Sequence, residues 1–332
     1  MGSMPKPVRI LAALALALAA LPAIAAETAT PTTVDGGRVV PPEPSPPEPE
    51  VDPNRFANPP DDAFGAYQRG LYITALNLAL PRAEGGDAAA QTLVAEIYSR
   101  GLGVRRDDGK AAKWYQAAAE RNVPEAQFQY ALMLLDGRFV AKDEEQAYAL
   151  MEDAANAGNA MAQFNLAQMI VGRSASPDAV RRAVSYYEKA ARAGVPDAQY
   201  AMAQVLASGA GGRKVDKAAA RRWLEQSARH NFDTAQLDLG TWMVEGIGGD
   251  RDERGGFAWL RIAAEGGNVA AQNRLAKLYR AGVGTDADPV TAAAWYVLAR
   301  RAGLVDLEMD GFLEGLTDEE RKQAIQQANR LR

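Results

Sequence analysis

The chain has 332 residues, a formal net charge of −5, and 48% apolar and 24% charged residues, a balance that suits a soluble globular protein with a sizeable core. Cysteine is absent and histidine occurs once, which excludes disulfides and thiolate chemistry and leaves a histidine triad or zinc site without partners. The negative charge argues against nucleic acid as a partner, and the alanine-rich apolar fraction points to closely packed helices.

Lys6 and Arg9 precede an apolar run over 10–21, and Ala23-Ile24-Ala25 supplies the small residues that a signal peptidase requires. Residues 1–25 therefore read as a signal peptide, with Met1 to Ser3 a cloning remnant before Met4, and a periplasmic location is expected. The run is too short to span a bilayer, which takes about 18 residues. Ten of the 18 prolines then fall between Pro31 and Pro60. Proline fixes φ and removes a backbone donor, so 26–60 reads as an extended, disordered linker. This segment also holds much of the acidity, with Glu27, Asp35, Glu43, Glu48, Glu50 and Asp52 set against Arg38 and Arg55.

Residues 61–303 are organised by a period of about 36 residues. Ala-Gln recurs at Ala90-Gln91, Ala126-Gln127, Ala162-Gln163, Ala198-Gln199, Ala235-Gln236 and Ala271-Gln272. A second register sets a large residue 13 positions before a glutamine at Trp114, Leu150, Tyr186, Trp223 and Trp259, and once more at Trp295. One helical turn after the large residue stand Ala118, Ala154, Ala190, Ser227, Ala263 and Ala299, and four after the glutamine stand Ala95, Ala131, Ala167, Ala203, Gly240 and Ala276. Small residues at that spacing predict helices packed closely along one face. A core position for the tryptophans follows, with Trp259 expected to be buried.

Turn chemistry falls between these helices. Asp107, Asp143, Asp216, Asp252 and Asp288 stand where first-turn N–H groups need acceptors, and Pro124 and Pro196 open helices. Gly86, Asn122, Gly158, Gly194, Asn231 and Gly267 occupy the position five before each glutamine, where a left-handed residue is required. Gly101, Gly137, Gly209, Gly246 and Gly282 close the glutamine-bearing helices. Gly172 comes one residue early, before Arg173-Ser174-Ala175-Ser176-Pro177, so the pattern is expected to change at 172–178. The order predicts hairpins in which a Trp-bearing helix precedes a Gln-bearing one. Residues 61–83 begin the stack, and 304–332 form a helical cap whose last helix opens on the capping box Thr317-Asp318-Glu319-Glu320.

Trp114-Tyr115-Gln116-Ala117-Ala118-Ala119, Pro124-Glu125-Ala126-Gln127-Phe128, Gly101-Leu102-Gly103-Val104 and Gly282-Val283-Gly284 resemble the Sel1-like repeat, a relative of the tetratricopeptide repeat. The resemblance covers about 61–303 and implies an all-α, right-handed α-solenoid of six to seven helical hairpins with a C-terminal capping helix. It also implies a non-enzymatic scaffold or adaptor that binds a protein partner. A regulator of a sensor kinase or of envelope signalling is the alternative. A cell-wall or β-lactam hydrolase is disfavoured, since neither a cysteine nor a serine–lysine site is present.

No catalytic, cofactor-binding or metal-binding residue is assigned. His230 reads as a helix-end residue, and the clusters Asp250-Arg251-Asp252 and Asp286-Ala287-Asp288 read as caps because the glycine and final glutamate of a calcium loop are missing. What remains is the outward face of the Trp-bearing helices. Ser185, Glu188, Lys189 and Arg192, then Arg222, Glu225 and Arg229, then Arg261 and Glu265 share a side, and they predict a strip on the concave face that receives an acidic segment of an envelope or signalling protein.

Overall fold

The computed structural model describes residues 62–331. The signal peptide, its cleavage site and the Pro-rich linker expected over 1–60 lie outside the described residues, as does Arg332. Among the described residues the chain is all helix, with no strand. It begins with α1 (Asp62–Gln68) and α2 (Tyr72–Glu84), followed by α3 (Ala88–Arg100) and α4 (Asp108–Ala119), then α5 (Pro124–Asp136) and α6 (Glu144–Asn156). The middle holds α7 (Ala160–Arg173), α8 (Pro177–Arg192), α9 (Pro196–Ser208) and α10 (Lys217–Arg229). Next come α11 (Asp233–Glu245), α12 (Glu253–Glu265), α13 (Val269–Ala281) and α14 (Pro289–Arg301), and the chain closes with α15 (Leu307–Glu314) and α16 (Asp318–Arg330).

These helices form two rows. The odd-numbered helices from α3 to α13 carry the six glutamines, and the even-numbered helices from α4 to α14 carry the large-residue register. Each Gln-row helix packs more extensively on the Trp-row helix after it than on the one before it. The hairpin therefore runs from Gln helix to Trp helix, the reverse of the phase expected from the order of the turn signals.

The small-residue registers are where the rows meet. Ala118, Ala154, Ala190, Ser227, Ala263 and Ala299 are all completely buried, and Ala95, Ala131, Ala167, Ala203 and Ala276 are buried to within 1%. At the sixth position, Gly240 of α11 lies so close to α12 that an added Cβ would sit 2.8 Å from the Gly256 carbonyl oxygen. Only hydrogen fits there, and the two backbones pass in contact.

The large-residue register needs a correction. Trp295 is buried, but Trp114, Trp223 and Trp259 are only partly buried, as is Trp242 of the Gln row. The fully enclosed side chain is usually the next one, as at Tyr115, Met151, Leu224, Leu260 and Tyr296, each 2% exposed or less. A large residue beside the seam lies along the helix flank, where its ring covers apolar surface and keeps one edge in water.

The turn chemistry matches expectation at nearly every site. Asp107, Asp143, Asp216, Asp252 and Asp288 each accept a first-turn backbone N–H. The six positions between hairpins all have positive φ, including the two non-glycines Asn122 (58°) and Asn231 (61°). In the third repeat α7 does not stop at Gly172 but continues to Arg173, and α8 starts early on the N-cap Ser176 and runs 16 residues. Arg173 supplies the closure that the usual glycine turn gives elsewhere. Its guanidinium lies 4.1 Å from the centre of the Tyr148 ring and donates to Glu145 Oε2 and the Glu144 carbonyl at 3.2 and 3.1 Å.

Candidate interaction faces

Each buried glutamine has a definite task. The Nε2 groups of Gln91, Gln163, Gln199, Gln236 and Gln272 donate at 3.1–3.3 Å to the carbonyls of Ala83, Ala155, Ala191, Ala228 and Ala264, eight residues earlier. The same five oxygens accept the backbone N–H of the positive-φ residues Gly86, Gly158, Gly194, Asn231 and Gly267. Two sequence signals thus converge on one oxygen and fill both lone pairs of a carbonyl that the helix end leaves open. Gln127 differs, with its amide 3.5 Å from Asn122 Oδ1 instead.

With glutamine and alanine committed to the seam, function has to come from the outward surfaces, and the two rows differ sharply in charge. On the Gln row, α5, α7, α9 and α11 carry Glu125, Asp136, Asp197, Asp233, Asp238 and Glu245 against the single Arg173. On the Trp row, α8, α10 and α12 carry ten lysines and arginines against five carboxylates.

The nine residues expected to form a strip do share the Trp row, on the consecutive helices α8, α10 and α12. Most of their charge is neutralised locally. Arg192 pairs with Glu188, Arg229 with Glu225 and Arg261 with Glu265, each one helical turn apart, and Glu188 also holds Arg213. Ser185 Oγ donates to the Arg182 carbonyl at 2.7 Å, and Lys189 sits over the Tyr186 ring. Arg222 is exposed and has no hydrogen-bond or ion-pair partner among the described residues. The field of the strip is therefore weaker than a count of its arginines implies.

The Gln row shows the opposite condition. Asp238 on α11 accepts from Tyr200 Oη at 3.0 Å and Gln204 Nε2 at 3.2 Å, both on α9, so one carboxylate ties adjacent repeats together. Burial pushes its carboxyl above the usual range, against the lowering effect of those two donors. Desolvation also raises Asp197, which has only its own backbone N–H to oppose it. The Tyr200 phenol is pushed up to about 12 by burial and by Asp238. Asp197 and Asp238 are half-buried carboxylates on successive Gln-row helices, whereas the charged ends of the Trp-row strip stand in solvent.

Sequence reasoning missed this acidic pair because Asp197 and Asp238 follow no periodic register. The available signal was negative, namely the lack of any lysine or arginine from Pro196 to Ser208 and from Asp233 to Glu245. His230 behaves as expected of a helix-end residue, exposed and with Nδ1 2.9 Å from the Gln226 carbonyl. Among the described residues no group of acidic and histidine side chains could hold a metal ion, and no helix is long and apolar enough to cross a membrane.

Two-helix units of constant length, stacked through a shared seam and closed by atypical helices, define an α-solenoid. The chain belongs to the Sel1 repeat family, whose model matches at residues 88–123, 124–159, 160–195, 196–232, 234–268 and 269–304. Each full match opens on or near a Gln-row helix and ends after the Trp-row helix that follows, the phase seen in the packing. A Sel1 repeat protein from Oxalobacter formigenes is similar over 74% of this chain and 98% of its own, with a TM-score of 0.62 at 24% identity. A second similar structure is c5321, a protective antigen present in uropathogenic Escherichia coli strains and displaying an SLR fold. There the TM-score is 0.54 at 26% identity over 78% of this chain, which spans 64% of the c5321 chain. No curated protein matches the chain significantly. Sel1 repeat proteins generally mediate protein–protein interaction and are generally non-enzymatic scaffolds.

Proposed function

We propose that this protein is an exported, periplasmic scaffold that binds a protein partner along the Gln-row face, centred on α9 and α11. The observation that carries this reading is the acidic character of α5 to α11 on this row, six carboxylates against one arginine, with Asp197 and Asp238 half-buried on helices without a lysine or arginine. A partner segment bringing lysine, arginine or backbone N–H donors would compensate their desolvation. Such a segment is drawn in by the negative field and held by charge-assisted hydrogen bonds.

A second reading is favoured by one observation, the unpaired Arg222. It places an acidic partner segment on the Trp row, across Lys189, Arg222 and Arg261, in the manner of a regulator of an envelope signalling protein.

Site-specific photocrosslinking in the cell envelope separates the two. A crosslinker at Gln204, exposed on α9, is expected to capture a discrete partner, and one at Arg222 is expected to capture none. The reverse result moves the interface to the Trp row, and capture of the same partner from neither position removes both faces. Export has its own test. N-terminal sequencing of the protein from its host is expected to begin at Ala26, and material that retains Met4 in the cytoplasm would refute the periplasmic assignment.

A further inference from the structure

The terminal helices do more than cover the last repeat. Between α14, α15 and α16 lies a cleft of about 500 Å³. Its floor is apolar, made by Val297, Leu313, Ala324 and Ile325, and Ile325 remains 46% exposed. The exposed Ile325 side chain lies beside buried and partly buried apolar neighbours, so a ligand seated in the cleft would cover continuous apolar surface.

The cleft is lined by charge of both signs. Arg300 and Arg301 of α14 and Arg321 of α16 line it together with Asp310 and Glu314 of α15, and Arg300 lies beside Asp310. Few of the guanidinium donors are used. Arg301 Nη1 donates to Asn329 Oδ1 at 2.9 Å, Arg321 Nη2 donates to the Leu316 carbonyl at 2.8 Å and lies 3.6 Å from Asp318, and Arg300 Nε lies 3.5 Å from Asp310. Each guanidinium has five N–H groups, so most remain free for an anion. Of the two carboxylates, Asp310 also accepts from Tyr296 Oη at 2.7 Å, while Glu314 has no hydrogen-bond or ion-pair partner among the described residues.

We propose that this cleft binds the free C-terminus of a polypeptide whose last residue has an apolar side chain. In such a residue the carboxylate, the backbone N–H and the side chain all leave one Cα. The cleft offers one complement to each within a single cavity: free guanidinium donors, the unpaired Glu314 acceptor, and the apolar floor around Ile325. Arginine matches a carboxylate through paired N–H donors, and capture of a terminal carboxylate is a recurring mode of peptide recognition. A fatty acid would satisfy the arginines and the floor but leave Glu314 unanswered, which is why the geometry favours a peptide. The site lies at the end of the solenoid, away from α9 and α11, and does not depend on the Gln row being the scaffold face.

The test uses the full-length protein and a fluorescein-labelled peptide, Ser-Gly-Ser-Gly-Ser-Leu, with either a free C-terminal acid or a C-terminal amide, read by fluorescence anisotropy. The acid is expected to bind and the amide to bind at least about tenfold more weakly, a difference of about 1.4 kcal/mol. Arg300→Ala and Ile325→Ser are each expected to weaken the acid at least about fivefold at unchanged circular dichroism. Ile325→Ser alters an exposed side chain, so it reports on binding if the arginine variant fails to fold, and Arg222→Ala should change nothing. Equal binding of acid and amide, no binding of the acid below about 1 mM, or displacement-insensitive binding of dodecanoate in its place would each overturn the proposal.

Discussion

The two rows of helices share one packing rule and differ in what they offer to water. Alanine and glycine at four-residue spacing bring both rows to the same seam, and the buried glutamines lock one row to the end of the other. Outside the seam the Gln row of α5 to α11 is acidic, while the Trp row of α8 to α12 is basic, exposed and largely self-paired. A periodic sequence constrains only what neighbouring repeats must share. The surfaces that point away from the seam were free to diverge, and those surfaces carry the individuality of the chain.

The sharpest way to break this picture is to strike the seam and its flank separately. Leu260→Ala, at a completely buried position, is expected to lose about 2–5 kcal/mol in urea unfolding. Trp259→Ala, at the adjacent partly buried position, should lose no more than about half as much, since much of the ring already meets water. Equal losses would mean that the large-residue register forms the core after all.

The next effect comes from the closest approach between the rows. A Cβ on Gly256 would lie 2.6 Å from the Gly240 carbonyl oxygen and 2.9 Å from the Val244 amide nitrogen, and backbone cannot move aside cheaply. Gly256→Ala should therefore cost about 1–3 kcal/mol by overpacking, despite alanine's better helix propensity. Stabilisation by this change, measured as a rise in melting temperature, would show that α11 and α12 stand further apart.

Glutamine gives a comparison within one row. Gln236→Ala removes the donor to the Ala228 carbonyl from a position 4% exposed and should cost about 1–3 kcal/mol. Gln127 makes only a long contact with Asn122, so Gln127→Ala should cost less than about 1 kcal/mol beyond its packing loss. Similar losses from both would mean that packing of the glutamine stem, and not the amide, explains the recurrence.

Much of this fold could be read from the sequence because repetition turns each guess into six trials. Asp252 alone is an acidic residue near a glycine; five aspartates in step are N-caps. The phase of the hairpin could not be read the same way, since a repeating string has no beginning and both turns carry glycine. Only the closer packing of each Gln helix on its successor settles it. The roles of Arg173 and of the Asp238–Tyr200–Gln204 contact were hidden for the complementary reason. Each occurs once, and a contact made between helices 34 to 38 residues apart leaves no trace in local spacing.

Acid titration sharpens the contrast between a paired and a desolvated carboxylate. Asp306, the N-cap of α15, is held at a pKa of about 2 by Lys277 and Asn273, below its unfolded value near 3.8. A depressed carboxyl stabilises the fold above the unfolded value and loses that contribution as pH falls from about 4 to 2. Water around this surface group screens the pair, so Asp306→Asn should cost about 1 kcal/mol at pH 7 and almost nothing at pH 2. A loss independent of pH would assign the effect to the cap hydrogen bond alone.

Asp197 should show the smallest effect, with the opposite sign. Its carboxyl is raised by desolvation, so the folded state holds its proton more tightly than the unfolded chain does. Ionised at neutral pH, it opposes folding, and that penalty is relieved as pH falls through the raised value. Asparagine keeps the shape and removes the charge. Asp197→Asn is therefore expected to stabilise the free protein at pH 7 by less than about 0.5 kcal/mol, a gain that fades as the solution is acidified toward pH 3. The same change should weaken partner capture through Gln204, because a carboxylate that is costly in the free protein is the one a cationic segment would complete. A variant that is less stable at pH 7 would show that Asp197 is already paired in solution, and the acidic surface of α9 and α11 would lose its strongest claim to be a binding face.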